Sequence, residues 1–369
     1  MAAPASEGGM SVQHAAQLAT EPYEITTLAD DRTALPLVVR PNGDPSLARL
    51  CAWLEANPAW VQDHLARHGG ILFRGFAIGS AADFERLARA IDDDLKNEYL
   101  GTSPRDSLTG YVFSASELPP VFPIPQHCEM SFVKNPPRRV FFCCLLEPQP
   151  GGGETPLVDF RKVWRDLDPA VRQRFTDGGI RIVRNYAGPG GGSRFDLWKL
   201  KRWDEMFLTT DRAVVEAKCR EQGFEPIWTE GGGLRLISTQ PVFRDHPVTG
   251  ERVWHNHTTT FHLSAASGEY QRIYRLRPSV KNFALWQFAR AMVGLQRATR
   301  SAEEQSMHCT YEDGRAIPDE DMEHVRDVVW RHLVVYPWQQ GDVVAIDNHS
   351  VAHGRLPYSG PRKVAVCWA

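Results

Sequence analysis

Two residue types that bind metals stand two apart, His127 and Glu129, in Pro125-Gln126-His127-Cys128-Glu129-Met130. A third, His353, follows more than two hundred residues later in Val351-Ala352-His353-Gly354-Arg355. In an extended segment, side chains at i and i+2 leave the same face, so His127 and Glu129 can reach one ion while Cys128 points away. Two imidazoles and one carboxylate on one side of an Fe(II) leave the opposite positions open, which is the facial arrangement of non-heme iron oxygenases. The same three ligands also hold Zn with an open position, so a zinc hydrolase is the rival chemistry. The helical His-Glu-x-x-His pattern of such hydrolases is absent from the sequence.

Several further segments surround these residues in a fixed order. They are His68-Gly69-Gly70-Ile71-Leu72-Phe73-Arg74-Gly75-Phe76, Gly101-Thr102-Ser103-Pro104-Arg105, Gly152-Gly153-Glu154-Thr155-Pro156, Arg184-Asn185-Tyr186, Thr249-Gly250-Glu251-Arg252-Val253-Trp254, and Trp338-Gln339-Gln340-Gly341-Asp342 leading through Asp347-Asn348 to His353. With the His127/Glu129 segment they resemble the TauD/TfdA family of iron(II)- and 2-oxoglutarate-dependent dioxygenases, and more closely its SyrP-like branch. The resemblance runs from about Gly69 to Ala369.

That resemblance implies a double-stranded β-helix (jelly-roll) core of the clavaminate synthase-like kind, with Fe(II) on His127, Glu129 and His353. It implies 2-oxoglutarate as co-substrate with O2, giving succinate and CO2. The distal carboxylate of 2-oxoglutarate needs a fixed cation, and the planar fork of an arginine matches a carboxylate with two parallel hydrogen bonds. Arg362 resembles the family's arginine best, Arg355 is the second candidate, and Thr155 resembles the hydroxyl that shares the contact. On the substrate side the resemblance offers Arg184 and Asn185. It further implies an amino acid or aminoacyl substrate, free or on a carrier protein, in specialised-metabolite (antibiotic) biosynthesis. Related halogenases have a small residue in place of the carboxylate, so Glu129 implies hydroxylation of an unactivated C–H bond; desaturation and cyclisation use the same ligands.

Other histidines compete. His255-Asn256-His257 is again an i, i+2 pair whose alternation predicts a strand lining a cavity, where either ring could touch substrate; His262 follows. His349 lies where relatives often have arginine. Gly188-Pro189-Gly190-Gly191-Gly192-Ser193 lacks the Gly-Lys-Ser/Thr ending of a phosphate loop and reads as a mobile lid.

These residues need a scaffold. At 369 residues the chain can bury a large core, and one elaborated domain over 21–369, behind a disordered tail at 1–20, is expected. Forty-two basic and 45 acidic side chains are interspersed, net −3, which gives nucleic-acid binding no electrostatic support. Seven cysteines without a Cys-x2-Cys pair predict free thiols in a reducing cytoplasm, and no apolar run of membrane-spanning length occurs.

The pattern predicts a mainly β chain with helical additions (α+β). Apolar spacing marks helices over Pro45 to His68, broken at Pro58, over Ser80 to Ile91, and over Asp159 to Phe175. Later helices are expected over Asp211 to Gln222, Ser279 to Ala298 and Asp319 to Leu333. Strands are expected at Ile71-Leu72-Phe73, over the continuously apolar Arg139 to Pro148, at Gly341 to Ile346 and at Arg362 to Trp368.

Overall fold

The computed structural model describes residues 23–28, 34–101, 105–191 and 201–369. The expected tail at 1–20 and the end of the glycine segment at Gly192 and Ser193 lie outside these. The strands are, in chain order, β1 (Tyr23–Thr27), β2 (Leu37–Pro41), β3 (Gly70–Phe73), β4 (Phe113–Ser114), β5 (Ile124–His127), β6 (Arg139–Leu146), β7 (Leu157–Asp159) and β8 (Ile180–Tyr186). They continue as β9 (Glu225–Trp228), β10 (Leu234–Gln240), β11 (Arg244–Asp245), β12 (Arg252–Val253), β13 (Met307–Thr310), β14 (Val343–Asp347), β15 (Val351–Arg355) and β16 (Lys363–Trp368).

β6 is the keel. Its Val-Phe-Phe-Cys-Cys run is buried on both faces, and its sheet neighbours are the late strands β14 and β16 in the order β1-β2-β3-β14-β6-β16-β4. Strand alternation divides these residues between two cores. Val140, Phe142 and Cys144 face the barrel interior with Val344, Ile346, Val366 and Trp368. Phe141 and Cys143 face outward with Val343, Ala345 and Cys367, under the helices Leu47–Ala56, Pro58–His68 and Ala81–Ile91, which contribute Leu50, Leu54, Leu65, Phe84 and Leu87. The last of these helices begins at the Ser80/Asp83 capping box.

Two smaller sheets close the interior, β5-β15-β7 and β13-β8-β10-β9. Together with the large sheet they make the double-stranded β-helix, with α+β content from the flanking helices. All seven cysteines are buried and free, with Cys143 and Cys144 on opposite faces of β6. Among the described residues no helix is long and apolar enough to cross a membrane.

Two local expectations are corrected. Asp159 to Phe175 is two helices, Phe160–Asp166 and Pro169–Gly178. Pro169 has no N–H to continue the first, and the Asp168 side chain caps the second by accepting from the Ala170 and Val171 amides at 2.8 and 3.2 Å. His255-Asn256-His257 is not a strand. The Asn256 carboxamide accepts from the Thr258 amide and hydroxyl and donates to Val242 O, which turns the backbone into the short helix Thr258–Phe261.

Candidate active site

β5 and β15 are antiparallel neighbours, and their register sets His127 directly opposite His353. The imidazole centroids stand 4.6 Å apart. Glu129 lies just past the end of β5, and its Oε2 is 3.5 Å from His353 Nε2. One ligand atom from each of the three residues lies within 4.8 Å of the others, and this is the one buried His/Glu group of that kind among the described residues.

Each of the three side chains is held from behind. His127 Nδ1 donates to Pro125 O at 2.8 Å, which leaves Nε2 as the lone-pair nitrogen facing the cluster. His353 Nδ1 is buried with no hydrogen-bond partner among the described residues, and its ring leans on Phe142 with centroids 4.8 Å apart. Asn348 clasps the Glu129 backbone: its Oδ1 accepts from Glu129 N at 2.6 Å and its Nδ2 donates to Glu129 O at 2.9 Å. Arg105 Nη2 donates to Glu129 Oε2 at 3.0 Å, while its Nη1 bonds Ala115 O and its guanidinium lies 4.5 Å over the Tyr99 ring. Gly354 is dictated by this crowding, since a Cβ there would come within 2.5 Å of Ile124 O.

The electrostatics favour the forms a metal requires. Burial, helped by His353, pushes His127 down to about 4, so it is neutral at pH 7. Burial alone would raise the Glu129 carboxyl, but Arg105 and His353 outweigh it and hold it well below the usual carboxylate range.

Thr155 and Arg362 meet beside this ladder. Leu157, two residues after Thr155, pairs with His353 across β7 and β15. Arg362 Nη2 reaches Thr155 Oγ1 at 3.3 Å, its Nε donates to Gly153 O at 2.8 Å, and Trp338 Nε1 donates to the same hydroxyl at 3.2 Å. Burial, then the nearby Arg355, pushes Arg362 down to about 10. No carboxylate pairs with it among the described residues. Gly153, at φ +75°, is required: a Cβ would sit 2.7 Å from Pro148 and 3.1 Å from Arg362 Cδ.

Arg355 is placed differently from the sequence expectation. It spends both Nη groups on the carbonyls of Leu118, Pro119 and Phe122, so it ties down the 118–122 loop. The Tyr358 ring lies between the two arginines, 5.5 Å from Arg355 and 5.4 Å from Arg362.

The substrate-side expectations divide. A cavity of about 50 Å³ abuts His127 and Glu129, walled by Tyr99, Leu118, Phe132, His257 and Phe261. His257 is there, its ring 5.0 Å from that of His127 and its Nδ1 2.6 Å from Ser131 Oγ. His255 is not: it is buried elsewhere, beside Arg244 and His349. Arg184 lies a layer behind the cavity, fully buried, its guanidinium 4.3 Å from the Phe132 ring and 4.8 Å from that of Phe224. Asn185 leaves the opposite face of β8 and donates to Glu303 O and Gln305 O, holding the sheet together. His349 donates its backbone N–H to Asp347 Oδ1 and faces His246. The described part of the glycine segment is a turn closed by Gly191 N–H to Gly188 O.

Reasoning from sequence left Arg105 and Asn348 without roles. Arg105 stood inside a quoted landmark, and Asn348 followed Asp347 in another, but neither carries a spacing that says it will grip a residue 24 or 219 positions away.

The model of the taurine catabolism dioxygenase TauD, TfdA family matches residues 32–368. The chain belongs to this family. As a TauD/TfdA protein it is a non-heme iron dioxygenase that uses Fe(II), 2-oxoglutarate and O2. Its relatives include the dapdiamide synthesis protein DdaC of Enterobacter agglomerans, 28% identical over 345 residues that cover 93% of each chain. A clavaminate synthase-like protein of Arabidopsis thaliana is 29% identical over 323 residues, 86% of this chain and 87% of that one. The structure of PvcB from Pseudomonas aeruginosa shares the fold at a TM-score of 0.51 and 11% identity, covering 99% of this chain and 94% of PvcB.

Proposed function

We propose that this TauD/TfdA oxygenase hydroxylates an unactivated C–H bond of an amino acid or aminoacyl substrate in specialised-metabolite biosynthesis. His127 Nε2, the Glu129 carboxylate and His353 Nε2 hold the Fe(II), and Arg362 with Thr155 receives the distal carboxylate of 2-oxoglutarate. The single observation that carries this is the convergence of a neutral imidazole, an ionised carboxylate and a second imidazole within 4.8 Å, beside a partly buried arginine with no acidic partner among the described residues. When bound, iron, 2-oxoglutarate and O2 supply an oxidant that removes hydrogen from carbon and returns a hydroxyl, with succinate and CO2 as by-products.

The protein's own part is positional. Pro125 O fixes which nitrogen of His127 is free; Asn348 and Arg105 fix the Glu129 backbone and carboxylate. Phe132, Phe261 and Leu118 keep the cavity poor in water, and His257, anchored by Ser131, offers its other nitrogen to a bound polar group. Glu129 occupies the position that must be vacated for halide, which favours hydroxylation over halogenation. The relative named for dapdiamide synthesis supports a biosynthetic substrate of small size.

The test is succinate release from 2-oxoglutarate with Fe(II), screened against amino acids offered free and loaded on a carrier protein. The expected product is 16 Da heavier than its substrate, and His127→Ala abolishes both readouts. Succinate release with no product 16 Da heavier from any of these substrates would overturn the amino-acid hydroxylation.

A further inference from the structure

Next to the triad cavity lies a larger one of about 200 Å³, under the helix Val280–Thr299 and against the helix Ala265–Leu276. The two cavities share a wall of Thr260, Phe261 and Met307. The larger space exists because alanines stand where the helices would otherwise fill it, at Ala265, Ala266 and Ala289. No Asp, Glu, Lys or Arg lines it. Most polar groups on its rim are engaged: Tyr270 OH donates to Val121 O at 3.0 Å, His262 Nδ1 is 2.8 Å from Ser264 Oγ, and Gln305 Nε2 donates to Gln296 O at 3.3 Å, while the buried Thr260 hydroxyl, on the wall shared with the triad cavity, has no hydrogen-bond partner among the described residues. Burial keeps His262 neutral, pushing it down to about 3.

A space with no charged side chain, and one free hydroxyl only at the wall it shares with the triad cavity, cannot take the ammonium or carboxylate of an amino acid, because those groups would lose their hydration without a compensating charge. It suits an apolar group. Dry apolar cavities of about 150 Å³ already take up benzene, so this one has room for a ring or branched chain of roughly six to nine carbons. Met307, only partly buried, is a flexible partition between the two cavities, because an unbranched thioether changes rotamer at little cost.

We propose that this chamber receives the uncharged apolar end of the substrate, an aromatic or branched aliphatic group, so that an adjoining carbon lies at His127, Glu129 and His353. The assignment rests on the oxygenase reading of that triad. The apolar end therefore lies beneath the Val280–Thr299 helix, and the charged end stays on the triad side of Thr260 and Phe261.

Indole, neutral and aromatic, is the probe, with Mn(II) in place of Fe(II). Proton relaxation of indole should be enhanced by the Mn(II)-loaded wild-type protein. The enhancement should fall at least tenfold in Ala289→Trp, which fills the chamber, and in Met292→Phe, which serves should the first variant fail to fold. Enhancement that is missing in the wild type, or unchanged in a folded variant, overturns the chamber. Failure of Mn(II) to bind at all overturns the triad reading first and this inference with it. In the succinate-release screen, phenylalanine and leucine should outperform aspartate and lysine by more than tenfold; equal or reversed preference also overturns the proposal.

Discussion

At the scale of single residues, the proposed centre depends on groups outside its three ligands. Arg105 holds one oxygen of Glu129, and removing such outer partners costs about 10- to 100-fold in metal affinity. Arg105→Ala is therefore expected to weaken Mn(II) binding by that factor in calorimetric titration, with an unaltered fold by circular dichroism. Thr155→Val removes the hydroxyl that Arg362 and Trp338 share; 2-oxoglutarate binding should weaken by about 1–3 kcal/mol while metal affinity holds. Equal affinity of the variant for 2-oxoglutarate would remove Thr155 from the co-substrate site. Gly354→Ala places a methyl against Ile124 O and should cost about 1–3 kcal/mol. Because the strain falls on the His127–His353 ladder, melting temperature and metal affinity should drop together.

At the scale of elements, β6 separates packing from chemistry. Phe141 and Phe142 are adjacent and both buried, and truncating either to alanine should cost about 3–5 kcal/mol in denaturant unfolding. Only Phe142 leans on His353, so Phe142→Ala alone should also lower metal affinity. β6 was readable in advance, since a continuous run of Val, Phe and Cys has no other economical home than a strand covered on both faces. The Ala81–Ile91 helix was readable from Ser80 and its apolar stripe, and the His127-x-Glu129 spacing anticipated that these two side chains converge, although Glu129 lies in the turn past β5 and not in an extended strand. What failed failed locally. The helix expected through Asp168-Pro169 breaks because a proline without an N–H meets an aspartate able to cap. The alternation of His255 and His257 suggested a strand, but Asn256 competes for the backbone and turns it, leaving one ring at the cavity and the other away from it. Arg355 and Arg362 could not be told apart by spacing, because what distinguishes them is which carbonyls each meets in space.

At the scale of the whole molecule, several histidines are buried in neutral form. His127 and His308 are pushed down to about 4, and His255 and His262 to about 3, in each case chiefly by burial. An unfolded histidine takes up its proton near pH 6.5, so between that value and about 4 the unfolded chain binds more protons than the folded one. Stability is thus fully present above about pH 6.5 and falls as pH drops toward 4, with a slope set by several protons at once. Denaturant midpoints measured from pH 7.5 to 4.5 should trace that loss even without metal; a flat profile would contradict the burial of these rings. The sheet order has a temporal side. β6 is flanked by β14 and β16, and His127 waits for His353, so during synthesis about two hundred residues must follow β6 before the keel has neighbours or His127 has its cross-strand partner. A nascent chain stalled before Val343 would display β6 as a sticky, unpaired strand and lack His353, which makes it a client for chaperones well before its proposed centre is complete.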